Sequence, residues 1–178
     1  MYVDWDIFPF DGDLRVKPLA APVLPEPERA GAGGVDCHRC DHPDDGVIWS
    51  DDHWTLSSLP ERNGLPVTML LESRPHVDFP ELDEARAAEF GRLSVQIARA
   101  IETLDGIARA HISKWGDGAE HLHVIFYGRP EGFSQLRGTC LALWDDILPA
   151  WPPDAWDANA RRVADTLVER HGGRVHAS

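Results

Sequence analysis

Cysteine is scarce in this chain. Three occur in 178 residues, too few for a disulfide framework. Two of them stand as Cys37-His38-Arg39-Cys40, a spacing that suits a metal knuckle in a reducing compartment. Basic residues are also few: 17 Lys and Arg against 30 Asp and Glu give a formal net charge of −13. Neutralising a nucleic-acid backbone needs clustered Lys and Arg, so this balance excludes a nucleic-acid polymer as partner while leaving room for a small nucleotide in a local pocket. No apolar run approaches the roughly 20 residues of a membrane span, so no membrane partner is expected. The first residues carry Asp4, Asp6, Asp11 and Asp13 instead of the basic start of a secretory signal. A cytoplasmic location is the expectation.

With 43% hydrophobic residues, the chain is long enough to bury one sizeable core. Residues 1–36 read as an arm, punctuated by Pro9, Pro18, Pro22, Pro25 and Pro27 and closed by Gly31-Ala32-Gly33-Gly34, a flexible hinge by composition. A β-hairpin is expected over 46–57 with Asp51-Asp52 at its turn, and a third, apolar strand over 66–72. The stripe Leu82, Phe90, Leu93, Ile97, Ile101, Leu104 predicts a long amphipathic helix from about Glu81. Strands are expected over 107–113 and 120–127. Two helices follow, over 134–148 and from an Asp154 cap to about Arg170.

The chemistry concentrates in Gly116-Asp117-Gly118-Ala119-Glu120-His121-Leu122-His123. Two histidines separated by one residue share a strand face, because side chains alternate. Leu122, Val124 and Phe126 then face the core. The glycine turn before them offers backbone N–H groups to an anionic oxygen. Cys37 and Cys40 supply two thiolates, and a tetrahedral site needs two more ligands. If the third and fifth strands are neighbours, His76 and His121 can both reach the knuckle. Two alternatives remain, reduced thiols and a redox pair, but loop residues rather than a strand and helix flank the cysteines. On the fourth strand Arg109, His111 and Ser113 share a face, and His111 reads equally as a phosphate contact or a solvated residue.

With these elements in order, the chain resembles the histidine-triad (HIT-like) superfamily, including its galactose-1-phosphate uridylyltransferase branch, from about Cys37 to Arg129. The resemblance implies an α+β fold, an antiparallel sheet of about five strands with one long helix packed on it and a C-terminal helical extension. It divides the chain into an arm (1–36), a HIT-like domain with the knuckle (37–129) and the extension (130–178). It implies structural zinc on Cys37, Cys40, His76 and His121, a nucleophile at His123, and a phosphate-binding turn at Gly116, Asp117 and Gly118. Arg129 follows the strand at a familiar distance, and with Arg109 and His111 it joins the substrate-binding candidates. Where the family's hydrolases carry a third histidine, and its uridylyltransferases glutamine, this chain has Ile125. Thr68 replaces another family histidine, and Gly118 the phosphate-binding serine.

The implied activity is nucleotidyl hydrolysis or transfer on a nucleoside phosphate ester or anhydride. The implied partner is a nucleotide or nucleotide sugar, and the family commonly forms homodimers. The alternative is a zinc-stabilised binding module with a degraded triad and no turnover.

Overall fold

The computed structural model describes residues 4–59 and 61–176. A six-stranded, wholly antiparallel sheet forms its centre, in the order β4-β5-β3-β2-β1-β6. The strands are β1 (Val47–Ser50), β2 (Trp54–Ser58), β3 (Thr68–Ser73), β4 (Ile107–Ser113), β5 (His123–Pro130) and β6 (Arg174–Val175). The helices are the single turn α1 (His38–Asp41), then α2 (Glu84–Ile101), α3 (Leu141–Ile147) and α4 (Pro153–His171). Among the described residues, no helix is long and apolar enough to cross a membrane.

Alternation along the strands sorts the sheet into two faces. Leu56, Met69, Leu71, Val124 and Phe126 join Leu93, Ile97 and Ile101 of α2 and Val163 and Leu167 of α4 in the main core. Gly128 belongs to this face because a Cβ there would lie 2.5 Å from Val67 Cγ1 and 3.2 Å from Ile101 Cγ2. The opposite face carries His123, Ile125 and Tyr127, paired in register with Glu72, Leu70 and Thr68. A smaller apolar cluster covers part of it, in which Leu65, Tyr127, Leu136 and Leu141 pack with Ile125 and Trp144.

Several expected boundaries move, each for a local reason. α2 begins at Glu84 because Asp83 caps it, its Oδ1 accepting the Arg86 N–H at 2.8 Å. Pro80 instead sits in a short 3-10 turn over Phe79–Glu81. The helix expected over 134–148 is reduced to α3, because Gly138 holds φ +61 just before it. α4 starts on Pro153 without a side-chain cap, since proline at the first helical position needs no partner for an N–H it lacks. β6 is an addition: two residues turned back by Gly172-Gly173 onto β1, too short to leave a pattern.

The expected hinge is also different. Gly31, Gly33 and Gly34 adopt φ +74, +60 and +80, forming a tight turn closed by Gly34 N–H to Gly31 O at 2.8 Å. Glycine is needed there for conformation rather than for flexibility. The arm docks at both ends: Trp144 Nε1–H donates to Ile7 O at 2.8 Å, and Ala30 bridges to Ala119.

Two predictions follow from this packing. Val124 is 1% exposed, so Val124→Asp buries an unpaired carboxyl and should cost about 3 kcal/mol or more in urea unfolding. Asp145 is a buried residue of α3, with one oxygen accepting from Asn63 Nδ2 at 2.7 Å and the other unpartnered. Burial, then the charge of Asp146, pushes its carboxyl up to about 7 from 3.8. The folded state therefore holds this proton more tightly than the unfolded chain. The stabilisation is complete below the unfolded value and is lost as pH rises through the folded one. Asp145→Asn, uncharged at every pH, should raise the melting temperature at about pH 8 and flatten its decline from about pH 5, measured by thermal melts.

Candidate functional site

A single helical turn begins the site. The Asp41 N–H donates to Cys37 O at 2.9 Å, closing an α-turn, and the i, i+3 spacing of the cysteines on it brings Cys40 over the same side as Cys37. On the sheet, β3 and β5 are neighbours, and their adjacency continues past the strand ends through Leu122 N–H to Val77 O at 2.8 Å. His76 and His121 are carried together on these extensions. His121 therefore precedes β5 and does not open it, as the alternation had suggested.

The four side chains converge, with one ligand atom from each of Cys37, Cys40, His76 and His121 inside 4.8 Å of the others. His121 Nδ1 lies 3.4 Å from Cys37 Sγ and 3.6 Å from Cys40 Sγ, and His76 Nδ1 lies 3.5 Å from Cys40 Sγ. Tetrahedral metal–sulfur and metal–nitrogen bonds of about 2.3 and 2.0 Å imply sulfur–nitrogen edges of about 3.5 Å. The donor set fits a tetrahedral ion on that measure. It fits in tautomer as well, because His121 Nε2–H donates to Ser73 O at 2.7 Å, which leaves the Nδ1 lone pair facing the sulfurs. Burial, and then the Cys37 thiol, pushes the Cys40 thiol up to about 11, while burial holds His121 below the usual imidazole range. A divalent cation reverses the first effect by favouring thiolate.

His123 stands beside this cluster. Its Nδ1–H donates to His121 O at 2.9 Å, so in the neutral ring Nε2 carries the free lone pair. The ring lines a cleft of about 180 Å³ with Gly31, Asp36, His38, Arg39 and Glu72. That cleft adjoins a larger cavity of about 550 Å³, lined in part by Ser57, Arg62, Leu70 and Trp156 and sharing His38, Arg39 and Glu72 with it.

Two further residues here escaped the sequence reading. Glu72, opposite His123 in register, accepts from Arg39 Nη2 at 2.6 Å and from Ser57 Oγ at 2.9 Å. Arg39 Nη1 also reaches His42 O, Pro43 O and Asp45 O. The pair ties the knuckle to the sheet, and its only sequence signal was a lone carboxylate ending an apolar strand.

The remaining candidates lie elsewhere. The carbonyls of Gly116 and Gly118 accept from Arg29 and Ala30, and the Glu120 N–H donates to Ala30 O. The glycine turn is thus held by the arm, with Ala119 rather than Gly116, Asp117 or Gly118 lining the cleft. Arg109, His111 and Arg129 are not brought to His123. Arg129 is six residues further along β5, roughly 20 Å away at strand rise, and the three line a separate cavity. Ile125 packs into the smaller apolar cluster. Thr68 exchanges hydrogen bonds with Asn63.

By sequence, the chain matches no family model and no curated protein. By structure it is similar to a zinc-bound histidine triad family protein from Mycobacterium smegmatis (18% identity, TM-score 0.50, 69% of this chain and 84% of that one). A histidine triad protein from Sinorhizobium meliloti gives 18% identity and TM-score 0.54 over 70% and 92% of the two chains. A hypothetical histidine triad nucleotide-binding protein from Sulfolobus tokodaii gives 15% and 0.52 over 79% and 97%. The fold is histidine-triad-like.

Purified protein should carry one tetrahedrally bound metal ion per chain by elemental analysis. Cys40→Ser should lose it and melt at a lower temperature, because metal binding and folding are coupled.

Proposed function

We propose that this protein binds a nucleoside phosphate anhydride or activated ester and transfers the nucleotidyl group through His123, with structural zinc on Cys37, Cys40, His76 and His121. The observation that carries this reading is the His123 Nδ1–H bond to His121 O, which aims a lone pair at Nε2 from a ring fixed beside the metal cluster. A set of two sulfurs and two nitrogens suits zinc, and four protein ligands leave it no open position. Zinc would thus hold the ligand side chains together and lend rigidity to the ring's support. Zinc in the M. smegmatis protein and the nucleotide in the name of the S. tokodaii protein support the choice of metal and ligand class.

In the first step the Nε2 lone pair attacks the α-phosphorus. A P–N bond forms, the P–O bond to the leaving group breaks, and that oxygen departs with the electron pair. The Nδ1–H remains on the His121 carbonyl, which offsets the positive charge gained by the ring. Water, which gives up a proton to solvent, or a second phosphate then forms a new P–O bond as the P–N bond breaks, and that bond's electron pair returns to Nε2 to restore the neutral ring. Ile125, where the family places a polar side chain, has no proton to give the departing oxygen. The substrate should therefore have a leaving group that is stable as an anion, such as a phosphate. The adjoining cavity of about 550 Å³ falls within the size range of small-ligand pockets and has room for the nucleoside. Two cysteines committed to zinc and a buried Cys140 outside any disulfide suit the reducing cytoplasm.

A second reading, a binding module without turnover, is favoured by Ile125, which packs as an apolar residue. Intact-mass analysis after mixing with a nucleoside triphosphate or nucleotide sugar separates the two. A nucleotidyl adduct should form on the wild type and be absent from His123→Ala, with metal content and melting unchanged. Turnover that is equal in wild type and His123→Ala, above a no-enzyme control, would sink the assignment. Nucleotide binding without adduct or turnover would favour the second reading.

A further inference from the structure

The end of the sheet remote from His123 carries a different chemistry. β4 and β5 place Arg109 directly opposite Arg129, a like-charge pair that is unfavourable unless something compensates it. The loop after β5 turns back so that Arg137 and Ser134 complete a cavity of about 320 Å³ with these two arginines and His111. Arg129 Nη1 donates to Pro130 O and Phe133 O at 3.2 and 3.3 Å, which fixes its guanidinium in the wall. Arg109 Nη1 donates to the adjacent Ala108 O.

Among the described residues, none of the three arginines forms an ion pair with a carboxylate, although acidic residues outnumber basic ones in this chain. No carboxylate lines the cavity. His111 Nε2 is buried and has no partner. Burial and the charge of Arg129 hold this imidazole below its usual range. Glu102, which acts on it in the opposite sense, is engaged by the Ala110 N–H at 3.1 Å.

We infer that Arg109, His111, Ser134, Arg129 and Arg137 form a second anion site, for a phosphoryl group, separate from the His123 cleft. Planar guanidinium forks match phosphate oxygens two at a time, and the Ser134 hydroxyl and His111 Nε2 can add further hydrogen bonds. The occupant is inorganic phosphate or the phosphate of a phosphorylated small molecule. Nothing in this inference requires His123 to be a nucleophile.

Calorimetric titration of the full-length protein at fixed low ionic strength tests it, with inorganic phosphate, pyrophosphate and glycerol phosphate, which carries no nucleoside for the His123 cleft, as separate probes. Each should be titrated against the wild type, Arg109→Gln, Arg137→Gln and His123→Ala. Saturable binding of at least one probe is expected, weakened about tenfold by each arginine substitution and unchanged by His123→Ala. Binding of glycerol phosphate in preference to free phosphate, with the same arginine dependence, assigns a phosphorylated small molecule; equal binding assigns phosphate itself. Because Arg109 and Arg137 are exposed, unchanged melting should accompany the loss. No saturable binding, binding that ignores both arginine substitutions, or binding lost in His123→Ala would overturn the site.

Discussion

One imidazole organises the cysteine–histidine end of this molecule. His121 uses both ring nitrogens and its own carbonyl: Nδ1 faces the two sulfurs, Nε2–H is tied to Ser73 O, and the carbonyl receives His123. A disturbance of the cluster thus reaches the neighbouring ring through a single residue. It is also how the four-residue cluster and the His123 ring are neighbours without sharing a side chain. The same residue is 5% exposed, so its bonds form away from competing water.

The two sheet faces divide the labour. One is apolar and buried by α2 and α4. The other runs from the His123 cleft, across an apolar patch around Ile125 and Tyr127, to the arginine-lined cavity. The C-terminal segments create the patch, since Leu136, Leu141 and Trp144 pack there. An apolar side chain at position 125 is therefore what the local packing requires, whatever it does to the chemistry.

The Cys37, Cys40, His76 and His121 cluster was legible partly through local rules, a Cys-x2-Cys spacing, a strand ending near Pro75-His76 and a His-x-His alternation, and partly through the family resemblance. Strand order then brought the parts together. What stayed hidden was long-range pairing. Arg29 meets Asp78 and Glu120, and Arg39 meets Glu72, and nothing in the local pattern links these partners. The glycines at 31–34 looked loose because composition does not report φ. Arg109, His111 and Arg129 share a face as alternation requires, but face alone does not say how far along a strand a residue lies.

β6 consists of two residues, yet it changes what the outer edge of the sheet exposes. Without it, β1 would present a row of unpaired backbone groups, a template for strand addition by another chain. Trp49 and Ser50 instead pair with Val175 and Arg174, and the border left on that side is only two residues long. The contact joins the first strand to the last, so loop closure over most of the polypeptide must precede it. Protection against aggregation therefore arrives late in folding, and a partly synthesised or C-terminally clipped chain would pass through a stage with its β1 border bare.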